Sequence, residues 1–102
     1  MVKKIIVYWR DIPSQVIVQR GRKREKTMLS SRFQEAIDRA AMRAGKGSSD
    51  AYIAEWRRET KRCEADADLK ALAEQEAASL ESGFSDERLL EMIRNHGAAD
   101  GR

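Results

Sequence analysis

Cysteine, histidine and proline are scarce in this sequence, and each scarcity removes a class of site. The 102 residues include one cysteine (Cys63), one histidine (His96) and one proline (Pro13). A lone cysteine cannot form an internal disulfide, and one cysteine with one histidine supplies too few soft ligands for a typical zinc site. A single thiol is typical of a reducing compartment, so the sequence predicts a cytoplasmic protein.

Long hydrophobic runs are also absent. The longest, Ile5–Trp9, has the length of a strand, whereas a membrane helix needs roughly 20 apolar residues. The basic start of the chain is like that of a signal peptide, but Arg10 and Asp11 interrupt the apolar stretch that follows it. We therefore expect no membrane partner.

The sequence shows no catalytic or cofactor-binding motif. Cys63 and His96 are the only residues that could form a thiol–imidazole pair, and neither has a supporting motif around it. Closely spaced acidic residues near position 66 lack the glycine and the final glutamate of a calcium loop, and no phosphate-binding loop is present. The sequence thus predicts a protein that is not an enzyme and has no catalytic, cofactor-binding or metal-binding residues.

Strand patterns open the chain. Residues 3–10 and 15–19 are rich in β-branched and aromatic residues, and the turn signal Asp11–Ser14 separates them, so a β-hairpin is predicted. The first strand is apolar on both faces. Residues 57–63 either extend a short helix that contains Tyr52 and Ile53 or add a charged edge strand to the hairpin. We favour the strand, because a lone hairpin is only marginally stable.

Helix patterns dominate the rest of the chain. Apolar residues at three- and four-residue spacing predict helices over 31–44 and 66–82, and Ser85 is the expected cap of a last helix. Ser31 and Gln34 have the spacing of a capping box. The predicted fold class is therefore α+β, with an antiparallel hairpin or three-stranded sheet packed against about four helices. One domain spans residues 1–97, and residues 98–102 form a disordered tail. The core is expected to contain Trp9, Phe33, Ile37, Trp56 and Leu72.

Charge is distributed unevenly along the chain. Residues 1–62 hold 16 basic and 7 acidic residues (net +9), whereas residues 63–102 hold 4 and 10 (net −6). The segment 20–26 is the most basic stretch and is predicted to be an extended arm or loop. It either binds an anionic partner or folds back onto the acidic helices near Glu74, Glu76 and Glu81.

The candidate partner-binding residues lie on this arm and on the first strand. Aromatic and arginine side chains are typical anchors of protein interfaces, and the arm directly follows the second strand. The candidates are Tyr8, Arg10, Arg20, Arg22, Lys23, Arg24 and Lys26.

Four stretches resemble a known family. They are residues 6–18 (IVYWRDIPSQVIV), 21–24 (GRKR), 32–42 (RFQEAIDRAAM) and 50–58 (DAYIAEWRR). Together they resemble a family of short bacterial proteins, common in Alphaproteobacteria, that are described only as virulence factors. The resemblance implies an accessory subunit of a folate- or corrinoid-dependent one-carbon enzyme. It supplies no catalytic residues.

Two functions are therefore expected. The favoured one is a small, non-enzymatic accessory or adaptor protein that binds a larger protein partner. The alternative is a nucleic-acid-binding module that uses the basic arm 20–26, although the arm lacks the interleaved aromatic residues on which bases stack.

Overall fold

The computed structural model describes residues 1–46 and 48–99. It contains a four-stranded antiparallel sheet and four helices, which confirms the predicted α+β class. In chain order the elements are β1 (Val2–Trp9), β2 (Ile12–Arg20), β3 (Lys23–Met28), α1 (Ser31–Arg43), α2 (Ser49–Ala54), β4 (Trp56–Cys63), α3 (Leu69–Gly83) and α4 (Asp86–Arg94).

The sheet has the strand order β3-β2-β1-β4, so the predicted hairpin lies at its centre. Val7 pairs with Gln15 and Tyr8 pairs with Pro13, which leaves Ser14 as the extra residue of a β-bulge. The Ser14 carbonyl accepts a hydrogen bond of 3.1 Å from the Leu29 amide. The bulge thereby fixes the chain as it leaves β3 toward α1.

The basic segment 20–26 is not an arm or a loop, and that prediction is wrong. Arg20 ends β2, and Lys23, Arg24 and Lys26 belong to β3. We expected mutual repulsion of the cations to keep the segment irregular. Backbone pairing with β2 and alternation of the side chains across the sheet outweigh that repulsion, because neighbouring residues of a strand point to opposite faces.

Strand β4 confirms the preferred interpretation of residues 57–63. It pairs with β1 over its whole length, from Trp56 opposite Trp9 to Cys63 opposite Val2. Both edges of the sheet, β3 and β4, are rich in exposed charged residues. Charged edges resist pairing with other chains, so these strands are protected against aggregation.

The helices cover one face of the sheet and form the main core with it. This core joins Val2, Ile6 and Val16 of the sheet to buried residues of α1, α3 and α4. Of the predicted core residues, Trp9, Phe33, Ile37 and Leu72 are buried. Trp56 is only partly buried, because it begins an edge strand.

The capping box predicted at Ser31 is wrong. Ser30 is the N-cap of α1, and its side chain makes no capping bond within the helix. Glu81 of α3 instead accepts hydrogen bonds from the Ser30 amide (2.6 Å) and hydroxyl (3.0 Å). Arg32 adds an ion pair of 3.2 Å with Glu81. A carboxylate from another helix thus does the work that the third helical residue does in a capping box. At the other helices Asp68 caps α3 and Ser85 caps α4, the latter as predicted.

The segment after α4 is attached to the turn between β1 and β2. Gly97 has a left-handed φ of 94° and lies against the indole of Trp9, and its carbonyl accepts a hydrogen bond from the Asp11 amide. The Ala99 amide donates to the Asp11 carboxylate at 2.6 Å. Ala99 of the predicted tail thus contacts the turn, whereas residues 100–102 of that tail lie outside the described part of the chain.

Replacing Gly97 with Ala is predicted to destabilise the fold by about 2–4 kcal/mol. The new Cβ would lie 2.9 Å from a ring carbon of Trp9, and the left-handed backbone would be strained as well. Urea denaturation of Gly97→Ala measures the loss. Gly83→Ala is the control, because its added Cβ meets no described atom within 4 Å apart from its chain neighbours and the backbone of its own helix, and it is expected to be neutral or slightly stabilising. Equal stabilities of the two variants would contradict this account.

Replacing Glu81 with Gln is predicted to cost about 1 kcal/mol at pH 7. Burial opposes ionisation of Glu81, but the hydrogen bonds from Ser30 and Arg32 outweigh it and hold its pKa below the ordinary value. Ionised Glu81 therefore adds stability above the ordinary carboxyl pKa, and this stability is lost as pH falls through the lower folded-state pKa.

The stability difference between the wild type and Glu81→Gln should thus shrink below about pH 4. Urea titrations from pH 7 to pH 3 measure it. The exposed Glu74 lies on the same helix, and Glu74→Gln is the control, expected to change stability little at any pH. If the loss of stability in Glu81→Gln stays constant with pH, ionised Glu81 does not stabilise the start of α1.

Candidate binding face of the sheet

Cys63 and His96 lie at opposite ends of strand β1. Cys63 pairs with Val2, whereas the His96 carbonyl accepts a hydrogen bond from Arg10, just beyond Trp9. The strand between these points spans roughly 20 Å. A thiol–imidazole pair cannot form across that distance.

Tyr8 lies on the helix-covered side of the sheet. It packs against the main core, and the Arg57 guanidinium lies over its ring at 4.5 Å. Burial, together with nearby Glu59, raises the pKa of the Tyr8 hydroxyl. Tyr8 is thus a partly buried packing residue in the free protein, and its predicted role as an anchor stays a prediction.

Arg10 occupies the turn between β1 and β2 with a left-handed φ of 53°. Its guanidinium pairs with Glu55 at 3.2 Å and donates to the His96 carbonyl at 2.8 Å. It also lies 5.3 Å from the centre of the Trp9 ring. These contacts join the turn to the end of α2 and to the C-terminal segment, so Arg10 already has internal partners.

The five cations predicted as a basic arm divide between the two faces of the sheet and the turn beside it. Arg20 donates to the carbonyls of Ala65 (2.6 Å) and Ala67 (3.0 Å), just before α3. Arg22 lies in the β2–β3 turn, and Lys23 pairs with Arg20 at the end of the two strands. Arg24 and Lys26 pair with Gln19 and Ile17 and share the opposite face of the sheet with them.

The structure does not show the alternative arrangement, in which these cations form ion pairs with the acidic helices. Within residues 1–46 and 48–99, none of the five lies within salt-bridge distance of a carboxylate. Glu76 pairs instead with Lys4 at 3.6 Å, and Glu81 pairs with Arg32. The acidic helices are therefore joined to the basic half by other residues.

The face of the sheet opposite the helices has a composition of its own, and we call it the open face. Cross-strand partners share a face, so the pairing register defines its members. They are Lys3, Ile5 and Val7 of β1, Gln15, Ile17 and Gln19 of β2, Arg24, Lys26 and Met28 of β3, and Arg58, Thr60 and Arg62 of β4. Trp56 lies at the border of this face, because it pairs with Trp9 of the main core and also packs against the apolar residues of the open face.

The open face carries five cations and no carboxylate among these members. The two acidic residues of the strands, Glu25 and Glu59, pair with Val18 and Ile6 of the main core and so lie on the helix side. Arg57 on that side pairs with Asp11 at 2.9 Å, whereas the adjacent Arg58 has no ion-pair partner within the described part of the chain. The same is true of Lys3, Arg24, Lys26 and Arg62.

The centre of the open face is apolar. Ile5, Val7 and Ile17 form a second cluster that is separate from the main core and contains no helix residue, with Trp56 packed beside it. Their exposed fractions are only 2–9%. Long basic side chains surround them on the neighbouring strands, and the aliphatic stems of such side chains can shield apolar groups while their charged ends stay in water.

A pocket of about 300 Å³ opens at one corner of this face. It is lined by Val7, Gln15, Trp56, Arg57 and Arg58. Gln15 Oε1 is buried and has no hydrogen-bond partner within residues 1–46 and 48–99. The pocket thus lies among apolar, basic and amide residues at the corner of the face.

Sequence reasoning found two of the five cations of the open face, Arg24 and Lys26, and missed the others. Lys3, Arg58 and Arg62 are far from the basic segment in sequence. The signal that could have found Arg58 and Arg62 is the period-two pattern of β4, in which every second residue from Arg58 faces the same way. It became usable only with the register that places β4 beside β1.

Two further findings limit the kinds of site. Among residues 1–46 and 48–99, no group of three histidine, cysteine, aspartate or glutamate side chains is arranged to hold a metal ion. None of the helices over the same residues is both long enough and apolar enough to cross a membrane.

Comparison with known proteins gives one match. Searches of curated proteins and of solved structures found no similar protein. The sequence model of one family, described as "Virulence factor", matches residues 7–93, which include the last three residues of β1, the remaining strands and nearly all of the helix layer. The chain therefore belongs to the virulence-factor family.

Proposed function

We propose that this protein is a non-enzymatic accessory protein that binds an acidic surface of a larger protein partner through the open face of its sheet. The observation that carries the proposal is the charge of that face, with five cations and no carboxylate among its members. Arg10, Arg32 and Arg57, which lie outside this face, have internal ion-pair partners.

Cations of the open face repel one another in the free protein. Lys3 and Arg62 are direct cross-strand neighbours, and like charges in that position are destabilising. An acidic partner would relieve this repulsion on binding and would also accelerate the encounter. The cost therefore supports a surface that is used in a complex.

The anatomy of the open face is closer to a protein interface than to a nucleic-acid site. An apolar centre of Ile5, Val7 and Ile17 lies inside a polar, cationic rim, which is the usual arrangement of protein interfaces. Single-stranded nucleic acids instead need aromatic platforms for stacking, and among the described residues Trp56 is the one aromatic side chain packed against the apolar centre of this face. The resemblance described above makes a folate- or corrinoid-dependent one-carbon enzyme the partner that we expect.

Charge reversal tests the face. The double variant Arg58→Glu, Arg62→Glu is predicted to lose partner capture, because it places two carboxylates on the open face. We expect it to keep the wild-type thermal stability, since it removes the repulsion between Lys3 and Arg62. The control is Arg39→Glu, Arg43→Glu on α1, which changes two exposed arginines and the net charge by the same amount away from the sheet.

Affinity capture from an extract of the source cells at about 150 mM salt, followed by quantitative mass spectrometry, gives the readout. A stoichiometric protein that the wild type and the α1 variant capture, and the sheet variant does not, supports the proposal. Equal capture by both double variants would contradict it. Capture that requires RNA or DNA and falls steeply with salt would favour the nucleic-acid alternative.

A further inference from the structure

We infer that the partner segment on the open face is an acidic amphipathic α-helix, which runs along the strands with an apolar stripe toward the sheet and carboxylates on both flanks. The inference rests on the proposed function and specifies the form of the acidic surface. Three observations carry it: the distribution of residues over the four strands, the width of the face, and the way the same sheet packs against a helix on its other side.

Cations and apolar residues occupy different strands of the open face. Arg24 and Lys26 lie on one edge strand, β3, and Arg58 and Arg62 lie on the other, β4. The second apolar cluster, described above, lies between them on β1 and β2. The fifth cation, Lys3, lies near the start of β1 opposite Arg62. The face thus has an apolar centre with cations along each edge.

The distance between the two cationic edges matches the width of a helix. The edge strands are three strand spacings apart in the order β3-β2-β1-β4, which is about 14 Å. A helix with its side chains is about 10–12 Å across, so one that lies between the edges brings carboxylates on its two flanks next to both sets of cations. Arg58 and Arg62 are about 14 Å apart along β4, which is the length of roughly nine helical residues. The helix therefore needs about three turns or more.

The three zones of the face suit a helix better than an extended segment. Side chains of a strand point in only two opposite directions, so a strand that turns its apolar side to the sheet turns its polar side to solvent. Side chains of an amphipathic helix radiate around its axis, and polar residues border the apolar stripe on both sides. A helix therefore places apolar groups on the centre and carboxylates on both edges at once, and a single strand does not.

The covered face of the same sheet already shows this mode of packing. Helix α3 contacts β2 and β3, and its buried residues Leu72 and Ala77 belong to the main core. Its Glu76 pairs with Lys4 of β1 at 3.6 Å. Lys4 and Lys3 are neighbours in β1, so they point to opposite faces of the sheet. An acidic amphipathic helix of this chain thus lies on one face with a carboxylate on a strand lysine, and the partner helix repeats the arrangement on the other.

Aliphatic stems of the cations take part in the apolar contact. The residues of the second cluster are only 2–9% exposed although no helix covers them, so side chains of the neighbouring strands lie over them. The stems of lysine and arginine are apolar, and the partner helix packs on these stems and on the centre while its carboxylates meet the charged ends. Met28, which is 57% exposed, adds an apolar group at the β3 edge of the same face.

Zero-length crosslinking of the captured complex locates the helix. A carbodiimide joins lysine amines directly to neighbouring carboxylates, so Lys3 and Lys26 report on the wild type. The charge-conserving variants Arg58→Lys and Arg62→Lys add an amine at each position of the β4 edge. We expect all four positions to crosslink to one partner segment of about 20 residues or fewer, the length of helix that the strands can accommodate. The exposed Lys70 on α3 is the control and should form no crosslink to that segment.

A synthetic peptide with the sequence of the crosslinked segment separates a helix from an extended chain. We expect the peptide to gain helical circular dichroism when it binds the full chain. A proline in place of one solvent-facing residue at its centre should weaken binding by about tenfold or more, because proline disrupts a helix interior. Alanine at the same position is the control and should leave the affinity within about twofold of that of the unsubstituted peptide.

Each result decides the inference. Crosslinks from both edge strands to one segment, with affinity lost in the proline peptide and kept in the alanine peptide, support it. Crosslinks from the two edges to distant segments of the partner, crosslinks between two copies of this chain, the absence of crosslinks in a captured complex, or equal affinities of the proline and alanine peptides overturn it. The proposed function still stands in those cases if Arg58→Glu, Arg62→Glu loses the partner, so the two failures are distinguishable.

Discussion

The one-sided covering of the sheet is the constraint on which the rest of this structure depends. The helices pack on one face only. Because successive side chains of a strand point to opposite faces, every second side chain lies on the face without helices. The pairing of β1 with β4 and of β2 with β3 aligns those residues across four strands. Cations from residues 3 to 62 of the chain thereby meet on one surface, although no short segment of the sequence contains them all.

Ion pairs occur on the helix side of the sheet but not among the described members of the open face. On the helix side, ion pairs such as Lys4–Glu76 and Arg32–Glu81 join the basic first half of the chain to its acidic second half. Part of the charge asymmetry seen in the sequence is therefore an internal attraction. The five cations of the open face take no part in these ion pairs within the described residues, so they are available to a partner.

The sequence was sufficient for the fold class, for the charged edge strand over residues 57–63 and for four of the five predicted core residues. These features depend on local periodicity, which a single sequence displays. It was not sufficient for the basic segment 20–26, where we treated repulsion as decisive and β3 forms instead. Nor could it predict the cap of α1, because Glu81 lies 51 residues away from Ser30.

The residues of the candidate site also differ in whether the sequence alone could predict them. Arg24 and Lys26 were found because they are close in sequence, whereas Tyr8 and Arg10 were chosen by residue type and turned out to have internal packing and ion-pair roles. Gln15 carried no signal at all, since an unsatisfied acceptor exists only once its surroundings are known. Register and burial, which are properties of the folded chain, decided these outcomes.

Lysine footprinting of the isolated complex tests the central claim most directly. Acetylation with a small reagent, read by mass spectrometry, compares the reactivity of each lysine in the free protein and in the captured complex. The account predicts protection of Lys3 and Lys26 on the open face and unchanged reactivity of the exposed Lys70 on α3. Protection of Lys70 with Lys3 and Lys26 as reactive as in the free protein would contradict it.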